Sequence, residues 1–237
     1  MIGQHCQVHE TAIVSSSASL GDNCIVGAYT TIHDNVQIGE GSIIENNATI
    51  GHPLGNWFEE EGYVNPVTKI GKKCIIRTNS VVYCGVQFED NVETGTNVIV
   101  REYTAVGSRT FISTLAQIQN RIKIGRNVNI RTNAHITANM VIEDNVFVGA
   151  GVVTTNDNKM LRQEDVRRGE KTVLQGAVLR EGCRIGSGTI ILPGKEVGSQ
   201  AIIAAGSIIR KNIPGYCIAS GNPAIVIREI QKERKEL

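Results

Sequence analysis

Aliphatic residues recur at every sixth position along most of this chain, a spacing that fits neither an isolated strand nor a helix. One run is Val8, Val14, Leu20, Val26, Ile32, Ile38, Ile44 and Ile50. A second passes from Ile70 through Ile76, Val82, Phe88, Thr94 and Val100 to Val148. A third reads Val173, Leu179, Ile185, Ile191, Val197, Ile203 and Ile209. A short repeat of this kind marks a solenoid, in which no single unit buries its own apolar side chain but stacked units form a continuous core. Three hexapeptides close one triangular coil of about 18 residues, which predicts about ten coils.

Residues two apart in a strand share a face, so the position two before each aliphatic also points inward. These positions hold Ala18, Cys24, Thr30, Val36, Ser42 and Ala48, then Cys74, Ser80, Val86, Val92 and Val98. All are small or β-branched, as a narrow prism requires. Cys6, Cys24, Cys74 and Cys183 are therefore expected as core thiols. Cys84 falls two after Val82, at an expected outward corner. Glycine often follows the aliphatic, as at Gly21, Gly27 and Gly39, with Asp or Asn next, which suits tight corners and left-handed backbone.

Two stretches break the register, GHPLGNWFEEEGYVNPVTK at 51–69 and TNDNKMLRQEDVRRGEKT at 155–172. A solenoid accepts insertions only as loops thrown outward. Residues 1–215 thus read as one repeat domain with two loops, and 216–237 as a C-terminal segment whose last ten residues form a short charged capping helix.

Composition narrows the function classes. The 237 residues carry 24 basic and 23 acidic side chains, a formal net charge of +1, which argues against a broad nucleic-acid footprint. Aromatic residues make up only 4%, fewer than a globular core of this size usually holds. No run of 18 apolar residues and no signal-peptide pattern occurs, so the expected compartment is the cytoplasm. None of the six cysteines forms a CxxC pair.

The repeats, together with ILPG (191–194), IIAAGSIIRKNIPG (202–215) and ASGNPAIVIREI (219–230), resemble the hexapeptide-repeat acyltransferases over nearly the whole chain. VIEDNVFVGAGVVTTND (141–157) followed by a loop looks like the N-acetyltransferases of nucleotide-linked amino sugars. IIRTNSVVYCGVQFEDNVETGTNVIVRE (75–102) resembles acyltransferases of the same sugar-modifying group. The resemblance implies a left-handed parallel β-helix, all-β, assembled as a homotrimer with a site in each cleft between neighbours. It also implies acetyl-CoA or another short acyl-CoA as donor, with C-terminal coils lining its pantetheine arm, and no metal. Many relatives carry a His in the segment where this chain has Thr96 and Asn97, so a catalytic His does not carry over to that place.

Acyl transfer to an amine needs the amine neutral, a base, and donors for the tetrahedral oxyanion. His135, between inward Ala134 and Ile136, points outward. Asn156 falls one 18-residue coil above Ala138, near His135. Glu143, Asn156 and Asp157 match the family motif, and Glu143 is expected on the next face, toward a neighbouring subunit. Cys84, Glu102, Asn120, Ala138 and Asn156 share one column, read as a cleft edge with an exposed thiol. Trp57 and Tyr63 are candidates to stack a nucleobase. Arg77, Asp90, Arg101 and Asn133 are further candidates for the substrate. Arg162, Arg167, Arg168 and Lys171 are placed to meet a pyrophosphate or to form a solvated charge mix. For the donor the candidates are Gly151, Ser187, Ala205 and Gly206 along the coils, with Arg210, Lys211 or Arg228 for its phosphates.

The expected activity is N-acylation of a dTDP- or UDP-linked amino sugar. O-acetylation or another acyl-carrier reaction is the runner-up, and a non-catalytic scaffold a third reading. A γ-type carbonic anhydrase shares the architecture, but the five scattered histidines do not supply its three metal ligands.

Overall fold

A computed structural model describes residues 1–55 and 57–230. The chain winds into the expected left-handed parallel β-helix, a triangular prism of short strands in sheets of 12, 10 and 9. The first face begins at Gln7–Val8, the second at Ile13–Val14 and the third at Ser19–Leu20. Each strand pairs in parallel with the strand one coil on, as in Gln117 with His135 and Asn129 with Phe147. From Ala18 onward the predicted inward positions are the core: Ile44, Ile76, Ile118, Ile136 and Leu179 are fully buried, and so are Cys74 and Cys183, whereas Cys6, Val8 and Val14 in the first coil are only partly buried.

The corners refine the sequence reading. The left-handed backbone falls on the third residue after the inward aliphatic, at Asn23, Asn47, Asn91, Asn127 and Asn145 among others. Asn tolerates that conformation because its side chain bonds locally. The glycine directly after the aliphatic has a different task. A Cβ at Gly125 would lie 2.7 Å from the backbone nitrogen of Asp144, and one at Gly21 would lie 2.6 Å from that of Glu40. Close stacking of successive coils, not backbone conformation, selects glycine there.

Carboxylates fasten the corners. Asp90 accepts from the Lys72 amide at 2.7 Å, and Asp144 from the Arg126 amide at 2.7 Å. Arg77 bridges Glu45 and Glu93 at 2.8 and 2.7 Å, and Arg180 bridges Glu143 and Glu196 at 2.8 Å each.

Strands extend into both ends of the first insertion, Thr49–His52 and Thr68–Ile70, so the loop proper is 53–67. The second insertion leaves after Val153–Thr154, holds a single-turn helix at Gln163–Arg167, and rejoins at Val178–Leu179. Val173, read as the first inward residue of the last run, is 77% exposed and belongs to this loop. At the C-terminus, Ile225–Glu229 forms a strand antiparallel to Cys217–Ser220 where the sequence reading begins a helix. The remainder of that expected helix, 231–237, lies outside the described residues.

Candidate functional site

Both loops leave the prism along one edge, between the second and third faces. Each follows a second-face strand and precedes a third-face strand. Between them lie the coils bearing Tyr83, Arg101, Gln119 and His135.

His135 occupies the middle of the second face. Its backbone nitrogen donates to the Val152 carbonyl at 2.8 Å, and its carbonyl accepts from the Thr154 hydroxyl at 3.2 Å. The backbone is thus clamped, while the imidazole makes no hydrogen bond to any described residue. Asn156 stands one coil above, and its amide donates to the Ala138 carbonyl at 3.4 Å. Asp157 is committed to the loop. It accepts from the amides of Lys159 and Met160 and from the Thr172 hydroxyl at 2.8–3.1 Å, and these bonds hold its carboxyl below the usual range. Glu143 lies on the edge between the third and first faces, where Arg180 and the Glu181 amide occupy its two oxygens.

The column expected to expose a thiol is closed instead. Cys84 is fully buried and Glu102 is 7% exposed. The first loop folds back over the thiol, and the Tyr63 hydroxyl lies 3.7 Å from its sulfur. Burial pushes the Cys84 thiol up, away from the reactive thiolate. Tyr63 also donates to the Asn65 side chain at 2.8 Å and accepts from the Leu54 amide at 3.1 Å. Burial first, and then the neighbouring thiol, push its hydroxyl up to about 12. Tyr63 therefore fastens the loop to the coil. Trp57 and Phe58 remain as an exposed edge-to-face pair, their ring centroids 6.2 Å apart.

The other candidates divide among the edges. Arg101 lies on the loop-bearing edge, fastened to Glu102 by two bonds of 3.0 Å. Arg77 and Asn133 lie on the edge between the first and second faces, and Asp90 on the edge between the third and first. Gly151, Ser187, Ala205 and Gly206 stack on the first–second edge, whereas Arg210 and Lys211 lie across the second face on the loop-bearing edge. Arg228 sits in the terminal strand.

Sequence reasoning missed a set of planar side chains beside the first loop. His33 and His52 have ring centroids 6.1 Å apart, and His52 and Tyr83 4.6 Å apart. Arg101 lies 5.3 Å over Tyr83, and Arg121 lies 5.4 Å over Tyr103. The signal was present: Tyr83 with Arg101, and Tyr103 with Arg121, are each one coil apart in sequence. Beneath the loop is a cavity of about 380 Å³ lined by His33, Asp34, Pro53, Trp57, Glu60 and Tyr63, among others. Burial, and then the charge of His52, lower the His33 pKa. Among the described residues no group of three or more His, Cys, Asp or Glu is placed to hold a metal ion, and no helix is long and apolar enough to cross a membrane.

Two family models match the chain. The bacterial transferase hexapeptide (six repeats) covers residues 17–52, and the hexapeptide repeat of succinyl-transferase covers 121–155 and 176–211. Among solved structures, a maltose O-acetyltransferase from Clostridium difficile 630 is 27% identical over 47% of this chain and 60% of its own, with a TM-score of 0.43. A galactoside acetyltransferase in complex with coenzyme A is 28% identical over 61% of this chain and 66% of its own, with a TM-score of 0.42. A UDP-N-acetylglucosamine acyltransferase from Campylobacter jejuni is 19% identical over 93% of this chain and 73% of its own, with a TM-score of 0.49. This chain thus spans less than two thirds of the length of the maltose enzyme. No curated protein matches it. The matched segments and the six-residue register that builds all three faces agree: they are hexapeptide repeats of the kind that the bacterial transferase and succinyl-transferase models describe.

Proposed function

We propose that the protein transfers an acetyl or other short acyl group from coenzyme A to the amino group of a nucleotide-linked sugar, at clefts between the copies of a homotrimer. The observation that carries this reading is the outward row of the second face. Beyond Ile13, Thr31 and Thr49 it runs Val81, Ile99, Gln117, His135, Val153, Ile190 and Ile208, so in this part of the face Gln117 and His135 interrupt an apolar strip. The first face is mixed outside: Ile25, Ile43, Ile75, Phe111 and Phe147 share their row with Glu93, Asn129 and Arg184. The third presents Gln37, Lys69, Gln87 and Lys123. The mainly apolar outward row of the second face from Val81 onward and the polar one of the third face up to Lys123 suit a closed three-fold assembly with the third face in water. An imidazole with no hydrogen-bond partner among the described residues, set into that row, suits a residue serving chemistry rather than packing.

The reaction asks little of the protein. The neutral amine attacks the thioester carbonyl while His135 takes the proton that the nitrogen sheds. The C–S bond then breaks, and the thiolate leaves with a proton as free coenzyme A. Asn156 supports the oxyanion or the sugar from the coil above. Glu143 faces away from His135 within one copy and would approach the site of a neighbour. Arg210 and Lys211, on the loop-bearing edge, suit the phosphates of the donor. The Gly151–Ser187–Ala205–Gly206 strip lines the opposite side of the second face, where its small side chains admit either pantetheine or a close subunit.

Incubation with acetyl-CoA and a panel of UDP- and dTDP-amino sugars tests the reaction. The expected product is heavier by one acetyl group and is absent when a hydroxyl replaces the amine. Acetylation of the hydroxyl analogue alone would make the enzyme an O-acyltransferase, and no transfer to any member would contradict the proposal.

A further inference from the structure

The planar side chains beside the first loop have no part in the chemistry just described, yet they lie on its edge. Arg101 is compensated by Glu102, but Arg121 has no carboxylate partner among the described residues. It rests on Tyr103, whose ring in turn packs over Gly85: a Cβ there would meet that ring at 2.8 Å. Gly85 has φ +74°, so both the turn and the ring above it require glycine. In the second loop Arg162 is bound to Asp165 and Arg168 to Glu164, while Arg167 and Lys171 have no carboxylate partner among the described residues but lie beyond the far side of His135 from the first-loop cavity.

The spacing of these groups is informative. Strand register sets His135 one coil above Gln117, three above Val81 and four above Thr49. Arg121 belongs to the coil of Gln117. At ~4.8 Å per coil, the Arg121 backbone is about 5 Å along the axis from His135, its guanidinium is drawn toward the coil of Tyr103 about 10 Å away, and the cavity mouth near Tyr83 and His52 is about 14–19 Å away. A nucleotide-linked sugar presents groups in this order: the reacting sugar, then the diphosphate, then the base.

Resting on the reading above, we infer that Arg121, seated on Tyr103, anchors the diphosphate and that the cavity beneath the first loop takes the nucleobase. Asp34 and Glu60 on the cavity wall repel phosphate but accept N–H groups from a base edge. Trp57 offers a face for stacking. Tyr103 preorganises the guanidinium, which keeps the entropy lost on binding small.

Trp57 is the only tryptophan in the chain, so its fluorescence reports on the cavity directly. Full-length protein is titrated with UDP, dTDP and uridine. Saturable quenching by UDP or dTDP is expected. Arg121→Ala should weaken diphosphate binding by about 10- to 100-fold, as for loss of a charge-assisted bond, and leave uridine unchanged. Arg121→Lys should fall between, since it keeps the charge and loses the fork. Retained coenzyme A binding and an unchanged circular dichroism spectrum report that the variants fold. Absence of quenching up to millimolar nucleotide overturns the base site, and equal weakening of UDP and uridine overturns the anchor. Acyl transfer by Arg121→Ala with an unaltered KM for the nucleotide sugar also overturns the anchor while sparing the reaction. Arg121-dependent nucleotide binding without acyl transfer supports the anchor and removes the reaction instead.

Discussion

At the scale of single residues, environment separates groups that sequence placed together. His135, Asn156 and Asp157 all fall in or next to matched repeats, yet one carboxylate oxygen of Asp157 takes three donors of its own loop, while the His135 ring makes no hydrogen bond to any described residue. A positioned base contributes about 10²–10⁴-fold, and proximity to the thioester supplies much of the remainder. His135→Ala should therefore lower kcat/KM by about 10- to 10⁴-fold, with partial recovery at high pH as more substrate amine becomes neutral. Asn156→Ala should weaken sugar binding or oxyanion support without that pH signature. Steady-state rates across pH 6–9 decide the matter, and full activity of His135→Ala throughout that range would move the base elsewhere. The outward direction of His135 was legible because strand alternation is strict. The burial of Cys84 was not, because the Tyr63 contact that covers it comes from a loop with no periodicity to read.

At the scale of strands and corners, nearly all the architecture was written in the sequence. The six-residue recurrence names the inward residues, and Ile70 through Val148 keep their register in the fold. The slip at Val173 has a physical source: an aliphatic in the right phase belongs to the core only if the coil beneath it has already closed, and here it closes at Ala177. At the C-terminus only Arg228 and Glu229 of the expected helix fall in a strand. There the open sheet edge at Cys217–Ser220 offers its backbone groups to Ile225–Glu229. The glycines that follow the aliphatics were seen but assigned the wrong work. Gly125→Ala makes a sharp test, because its φ is not in the left-handed region and only the coil above opposes a methyl group. The substitution should destabilise by about 1–3 kcal/mol, as overpacking does, in denaturant unfolding. No loss would mean that coil stacking does not select glycine at this position.

At the scale of the whole molecule, the prism has a sidedness that no single hexapeptide reveals. From Val81 onward the second face is mainly apolar outside, and both insertions rise from the edge beside it, so on the proposed reading chemistry and assembly would share one region of the surface. Acyl donor and nucleotide sugar would approach His135 from opposite ends of that edge, with Arg210 and Lys211 on the C-terminal coils and Arg121 and the first-loop cavity on the N-terminal coils. The structure of the complex with coenzyme A tests this most directly. The account predicts three copies around a three-fold axis, with the coenzyme sulfur beside the His135 imidazole in the cleft of the second face. A sulfur on the polar third face, or a donor bound to a single copy away from His135, would contradict it.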